Sequence, residues 1–219
     1  MRENKDLILD ETFALAFLNH EKNNLLIAKN LYNEVLKVDP NHIGALSNLG
    51  IVFNLLKEYQ SAINCHEKVI EINPHHADSY INLGIVFSNI GDYQKGISCY
   101  EKAIEINPNF IDAHFNLGNI YINSGEYQKA KNYYDKVIEI DPEHVGAHGN
   151  LGAVFNYLKQ YNKAIGSYEK AKNLDSSNKV NKIAYGNILL KLNEHKKGLS
   201  SLAEGQGVIK FTQSDFKII

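Results

Sequence analysis

Apolar residues recur along most of this chain at helical spacing, and the pattern itself repeats. In LSNLGIVFNLL, from Leu46 to Leu56, apolar side chains at intervals of three and four residues predict an amphipathic helix. A second helical pattern follows after a short turn. Proline then ends it, because the residue before a proline is disfavoured in the α region. Each such segment predicts a helix–turn–helix hairpin.

The prolines reveal the period of this pattern. All four lie 34 residues apart, at Pro40, Pro74, Pro108 and Pro142. A fixed period of this size indicates stacked structural repeats. With proline at position 32 of each repeat, full repeats begin at residues 43, 77, 111 and 145, and weaker ones begin near residues 9 and 179. We expect residues 1–8 to extend the first helix, residues 9–206 to form the array and residues 207–219 to form an apolar C-terminal tail.

Small residues twelve positions apart predict where the two helices of a hairpin meet. The pairs are Ala16/Ala28, Gly50/Ala62, Gly84/Gly96, Gly118/Ala130, Gly152/Ala164 and Gly186/Gly198. Two helices approach closely only where no bulky side chain separates them. We therefore expect each pair to face its partner across the hairpin, with aromatic residues filling the wider gaps.

These residues together resemble the tetratricopeptide repeat. Leu49, Gly50, Phe53, Ala62 and Pro74, with their equivalents in the other repeats, match its motif over about residues 9–205. The resemblance implies an all-α, right-handed superhelical solenoid of about six antiparallel helix pairs. First helices would line a concave groove and second helices the convex face. The family's usual tryptophan is absent, and its position holds Leu46, Tyr80, His114 and His148.

An asparagine stands before the Leu-Gly pair in every full repeat. Position 6 shares a helical stripe with positions 2, 9 and 13, away from the buried leucine, so we expect it to face the implied groove. An amide offers donors and an acceptor that suit an extended peptide backbone. The row resembles the asparagine ladder of the arrays in O-linked N-acetylglucosamine transferases. The predicted peptide-binding residues are Asn48, Asp78, Asn82, Asn89, Asp112, Asn116, Asn119, Asn123, Asn150 and Tyr157.

A structural interpretation of the same asparagines stays open. Each could bond to a neighbouring helix or simply solvate the groove. The groove stripe of the full repeats carries no lysine or arginine but includes Asp78 and Asp112. It therefore lacks the basic carboxylate clamp that chaperone-binding members of the family use, and a cation or a backbone-presenting peptide would suit it better than an anion.

Composition narrows the possible partners. The chain has 23 basic and 25 acidic residues and a formal net charge of -2, so no basic field favours nucleic acid or an anionic membrane. Asp6, Asp10 and Glu11 interrupt any secretory signal, and no apolar run approaches the roughly 18 residues that span a bilayer. We expect a cytoplasmic protein.

Residues that could carry chemistry are few and scattered. Cys65 and Cys99 are one repeat apart, too far for a disulfide, so we expect both to be reduced and structural. The nine histidines form no set of metal ligands, and His42, His76 and His144, which follow prolines, are better explained as caps. No triad, carboxylate pair or phosphate loop stands out. We expect no enzyme activity, no metal and no cofactor.

Three functions remain. The first is a non-catalytic scaffold that binds a protein or peptide segment in the groove. The second is a self-assembling structural protein that uses the array ends or the tail. The third is an accessory module for a separately encoded enzyme, such as a glycosyltransferase. The tail is too apolar for a free coil, so we expect it to cap the last helix; the alternative is contact with a second copy or another protein.

Overall fold

The structure, a computed structural model, describes the backbone of residues 2–206, 209–211 and 216–218 and the side chains of residues 7–206. Helices dominate this part of the chain. They are α1 (Arg2–Glu21), α2 (Leu25–Val38), α3 (Ile43–Leu55), α4 (Tyr59–Ile72), α5 (Ala77–Asn89), α6 (Tyr93–Ile106), α7 (Ile111–Asn123), α8 (Tyr127–Ile140), α9 (Val145–Tyr157), α10 (Tyr161–Leu174), α11 (Lys179–Lys191) and α12 (His195–Gln206).

The chain divides into two compact units, residues 1–113 and 114–219. In the first unit α1 packs on α2, α3 on α4 and α5 on α6, and successive hairpins meet through α2–α3 and α4–α5. In the second unit α9 packs on α10 and α11 on α12, and the hairpins meet through α8–α9 and α10–α11. Each unit is a stack of helical hairpins, which confirms the predicted all-α solenoid class.

The glycine of the Leu-Gly pair faces an aromatic ring. A Cβ atom added at Gly84, Gly118 or Gly152 would lie 2.6–2.8 Å from the tyrosine that follows sixteen residues later in the same hairpin. The expected contact between two small residues occurs in the last hairpin, where a Cβ at Gly186 would lie 2.8 Å from the carbonyl oxygen of Gly198. In the middle repeats the nearest atoms to the glycine belong to a buried tyrosine ring, which the sequence analysis did not identify as a neighbour.

A histidine caps the N-terminus of the first helix in three of the hairpins. The Nδ1 atoms of His42 and His144 accept hydrogen bonds from the backbone N–H groups of Ala45 and Ala147, both at 3.0 Å. His76 caps α5 in the same way. These bonds satisfy a donor at each helix N-terminus that has no partner inside the helix. The capping interpretation of these histidines is confirmed.

The turn inside each hairpin contains one residue in the left-handed region. These residues are 34 apart, with φ between 58° and 84°: Asn23, Lys57, Gly91, Gly125, Lys159 and Asn193. Glycine adopts this conformation freely, whereas a side chain with Cβ crowds the following carbonyl. Lys57 and Lys159 therefore adopt a backbone conformation that is energetically unfavourable for a residue with a Cβ atom.

Replacing Lys57 by glycine should stabilise the protein. Removing the side chain relieves left-handed strain, while the greater freedom of glycine in the unfolded chain offsets part of the gain, so we expect about 0.5–1 kcal/mol. Urea denaturation followed by circular dichroism measures the change. The reverse substitution, Gly91→Lys, should cost a similar amount. A Lys57→Gly variant less stable than the parent would show that this turn stores no strain.

A short hairpin follows α12. Strands β1 (Ile209–Phe211) and β2 (Phe216–Ile218) pair antiparallel, with Ile209 opposite Ile218 and Phe211 opposite Phe216. We did not predict these strands, although the alternation of apolar and polar residues in IKF and FKI is typical of them. The side chains of residues 207–219 lie outside the described residues, so the expected cap stays a prediction.

Candidate functional site

The repeated asparagines and leucines separate as the helical stripes predict. The leucines of the Leu-Gly pairs are buried, whereas the preceding asparagines on α3, α5, α7 and α9 are half-buried. Neighbouring positions on one helix thus have different surroundings. Asn48, Asn82, Asn116 and Asn150 are each partly exposed, and their hydrogen bonds decide which amides are available to a peptide.

Asn150 is held inside the protein by a three-membered network. Its Nδ2 atom donates to Asn119 Oδ1 at 2.8 Å and to the Tyr134 hydroxyl at 3.3 Å. The Tyr134 hydroxyl in turn donates to Asn119 Oδ1 at 2.8 Å. Burial raises the pKa of Tyr134, so its proton stays available for this bond. The network joins α7, α8 and α9 and gives Asn119 and Asn150 a structural role.

The other three ladder asparagines lack such bonds to the described residues. The amides of Asn48, Asn82 and Asn116 have no hydrogen-bond partner among the described side chains and backbone. In the first unit, the repeat-equivalents of Asn119 and Tyr134 that precede Asn82 are Ile51 and His66. An isoleucine cannot accept the bond, so the network that fixes Asn150 has no counterpart at Asn82.

The remaining predicted residues differ in their surroundings. Asp78, Asp112 and Asn123 are not buried. Asn89 is exposed, and its Nδ2 atom donates to Asn54 Oδ1 at 3.0 Å. In the second unit Tyr157 is 57% exposed and stacks on Tyr127, with ring centroids 4.7 Å apart and planes at 6°. The first unit thus presents Asn48, Asp78, Asn82, Asn89 and Asp112, and the second presents Asn116, Asn119, Asn123, Asn150 and Tyr157.

Three equivalent lysines on the second helices lie over aromatic rings of the first helices. Lys95 Nζ lies 5.2 Å from the ring centroid of Phe87, and the equivalent lysines Lys129 and Lys163 lie 5.0 and 5.6 Å from their rings. Each ammonium group is attracted to an aromatic face. A cation–π contact between the two helices therefore recurs in three successive hairpins.

His66 is a feature that the sequence interpretation missed. It occupies the buried position that Tyr100 and Tyr134 fill in later repeats, and both of its ring nitrogens lack hydrogen-bond partners among the described residues. Burial, with a smaller contribution from nearby His76, lowers the pKa of His66 to about 4. The signal was visible in the sequence, since His66 interrupts a series of tyrosines spaced 34 residues apart.

Groups that could support metal or thiol chemistry are not assembled. Among the described residues, no three His, Cys, Asp or Glu side chains are placed to hold a metal ion. Cys65 and Cys99 are free, and burial raises the pKa of each thiol to about 11, which disfavours the reactive thiolate. Across the described helices, none combines the length and apolar character needed to cross a membrane.

The stacked hairpins, ring-covered glycines and helix-ending prolines define a helical-repeat protein. Family models of the tetratricopeptide repeat match residues 44–76, 77–110, 111–144 and 145–178. These matches cover more than half of the chain, so the protein belongs to the tetratricopeptide repeat family. No curated protein sequence matches it.

Several solved structures share this fold. MamA is 27% identical, with a TM-score of 0.66, and the match covers 74% of this chain and 94% of MamA. YrrB, described as a tetratricopeptide repeat protein with an unusual peptide-binding site, is 25% identical, with a TM-score of 0.61 and coverage of 78% and 88%. PilF of Pseudomonas aeruginosa is 17% identical, with a TM-score of 0.80 and 90% coverage of both chains, and shows the fold alone.

Proposed function

We propose that this protein is a non-catalytic scaffold that binds an extended peptide segment through the asparagines of its first helices. The contrast among the four ladder asparagines carries the proposal. Asn150 is bonded within the protein, whereas the amides of Asn48 and Asn82 in the first unit have no hydrogen-bond partner among the described residues. An amide that serves neither the core nor a neighbouring helix is available to a ligand.

The chemistry of the surface suggests the class of peptide. An asparagine amide can donate to a backbone carbonyl and accept from a backbone N–H, so it grips an extended chain with little regard to sequence. Asp78 and Asp112 reach the surface and lie on the same predicted stripe in the first unit. Charge complementarity then favours a segment that contains lysine or arginine. The peptide-binding site of YrrB is a precedent among related folds.

Replacing Asn48 and Asn82 together with alanine should weaken peptide binding without lowering stability. The probe is a display library of random peptides, panned against the full-length wild-type chain. Selected peptides should be enriched in lysine and arginine. We expect their dissociation constants, measured by calorimetry, to rise about tenfold in the double variant, because each lost amide removes one or two hydrogen bonds.

Two control variants separate binding from folding. Asn64→Ala alters an exposed asparagine on α4, away from the stripe, whose Oδ1 accepts a surface hydrogen bond from Gln60; it should leave binding unchanged and change stability by less than about 0.5 kcal/mol. Asn150→Ala should lower stability, by about 1 kcal/mol, because Asn119 Oδ1 and the Tyr134 hydroxyl each lose the hydrogen bond that Asn150 donates. If the library yields no peptide, or if the selected peptides bind the Asn48/Asn82 variant as tightly as the parent, the asparagine contact is wrong.

The remaining predictions from the sequence concern enzyme activity, an accessory role, location and other partners, and they have less support than peptide binding. We propose that the chain is not an enzyme, in keeping with the general role of tetratricopeptide repeat proteins as non-catalytic scaffolds. An accessory role beside a separately encoded glycosyltransferase would use the same peptide surface. Cytoplasmic residence, and the absence of nucleic-acid and membrane partners, stay predictions from the sequence.

A further inference from the structure

Exposed apolar side chains concentrate on the first hairpin. Leu15 and Leu18 of α1 are 49% and 43% exposed, and Leu26 and Ile27 at the start of α2 are 65% and 52% exposed. The next three second helices carry polar residues in place of the last two: Gln60 and Ser61, Gln94 and Lys95, Gln128 and Lys129. The surface of the first hairpin is therefore more apolar than the equivalent surface of the next three repeats.

The equivalent residues in the later repeats indicate what kind of surface could pack on Leu15 and Leu18. Leu15 and Leu18 occupy positions 7 and 10 of their repeat. The residues at these positions in the five later repeats are all buried: Leu49, Leu83, Leu117, Leu151 and Tyr185 at position 7, and Val52, Val86, Ile120, Val154 and Ile188 at position 10. In an array, the preceding hairpin covers this face of a first helix. The exposed side of α1 therefore keeps the residues of a helix-docking surface.

The exposed residues on this side of α1 form one continuous stripe. Ile8, Leu15 and Leu18 are joined by the exposed charges Glu11 and Lys22, at spacings of three and four residues. Such spacing places them on one side of a helix. Lys22 directly follows α1, and its backbone N–H still donates to the Leu18 carbonyl. The opposite side, with Leu9, Phe13 and Ala16, packs into the core of the first unit. We call Ile8, Glu11, Leu15, Leu18 and Lys22 the α1 face.

The described residues of α12 offer no matching apolar surface. On α12 the exposed side chains include His195, Lys196, Lys197 and Glu204, and among its described residues none is a large exposed hydrophobic. Docking of the α1 face onto α12 of another copy would place leucine against lysine. A second α1 face is the better partner, since an apolar stripe complements itself.

We propose that the α1 face binds the α1 face of a second copy of this chain, as a symmetric pair of antiparallel helices. One register of the two helices pairs apolar residues with apolar residues and opposite charges with each other. If Leu15 lies opposite Leu18 of the second copy, symmetry also places Glu11 opposite Lys22 of that copy, twice. The same register brings Ile8 toward the turn between α1 and α2, close to the exposed Leu26. An isologous contact of this kind closes after two copies.

Charge reversal tests the register on the full-length chain. Each single variant, Glu11→Lys or Lys22→Glu, sets like charges against each other at both symmetric ends. We expect the dimer dissociation constant, measured by sedimentation equilibrium at low salt, to rise about tenfold in each. The double variant Glu11→Lys/Lys22→Glu restores both pairs and should recover the wild-type constant. This recovery distinguishes a specific register from a general loss of folding.

Further variants test the contact made by Leu15 and Leu18, and the alternative that residues 207–219 form the dimer contact. Leu15→Glu/Leu18→Glu should give a monomer with an unchanged circular dichroism spectrum, whereas Val180→Glu, which charges an exposed apolar residue on α11, should stay dimeric. A wild-type chain that is monomeric throughout the micromolar range overturns the proposal. So does a dimer that survives both leucine substitutions, or one lost only when residues 207–219 are deleted. None of these outcomes depends on peptide binding.

Discussion

Replacing Gly118 by alanine should destabilise the protein by about 2–3 kcal/mol. The new Cβ atom would lie 2.6 Å from Cε1, 2.8 Å from Cζ and 2.9 Å from Cδ1 of Tyr134, so the whole ring must move. Tyr134 is fully buried and donates to Asn119, and a displaced ring would disturb the network that holds Asn150. Urea denaturation, followed by circular dichroism, gives the free energy of unfolding.

A second glycine in the same unit supplies the control. Gly166 lies in α10, and a Cβ atom added there would have nothing within 4 Å, so alanine meets open space. Because alanine is the better helix former, Gly166→Ala should stabilise the protein by about 0.5–1 kcal/mol. Equal effects at Gly118 and Gly166 would mean that helix propensity, and not contact with the ring, determines the residue at these positions.

Acid should destabilise the wild-type protein more than a His66→Tyr variant. The pKa of His66 is about 4 in the folded chain, against roughly 6.5 for an unperturbed histidine. Between about pH 4 and pH 6.5, His66 is protonated in the unfolded chain but neutral in the folded chain. Stability is therefore full above about pH 6.5 and falls as the pH drops toward 4. At pH 5 the expected loss from this residue is about 2 kcal/mol relative to pH 7.

The tyrosine variant removes this titration while keeping the packing of the other repeats. Tyr100 and Tyr168 already lie on the glycines equivalent to Gly50, so a ring of this size fits the position. The eight other histidines contribute equally to both proteins. The difference in unfolding free energy between variant and wild type should thus grow by about 2 kcal/mol from pH 7 to pH 5. A difference that is constant with pH would show that His66 titrates normally.

The architecture could be predicted from the sequence because it rests on local rules repeated many times. A proline every 34 residues, a helical stripe and a glycine at each close contact are each weak signals, but they agree in successive repeats. First helices begin at Ile43, Ala77, Ile111, Val145 and Lys179, where the repeat period placed them. The terminal hairpin of strands escaped prediction, because two three-residue segments carry too little pattern to identify.

The candidate site could be predicted only in part. Helical geometry was enough to separate the four ladder asparagines from the buried leucines. It could not separate Asn150 from Asn82, because the difference lies in residues 16 and 31 positions away, Tyr134 and Asn119. Likewise, the sequence contained His66 in a tyrosine position, but only packing showed that both ring nitrogens lack partners among the described residues.

The sequence by itself determined the repeat, its period, the helical hairpins and the stripe on which the asparagines lie, since these follow from residues close together along the chain. Only the tertiary structure decided which asparagines are already bonded, which ring covers each glycine and where the first hairpin leaves leucines exposed. Those properties depend on side chains brought together from different helices, and a hydrogen bond or a buried contact exists only when both partners are in place.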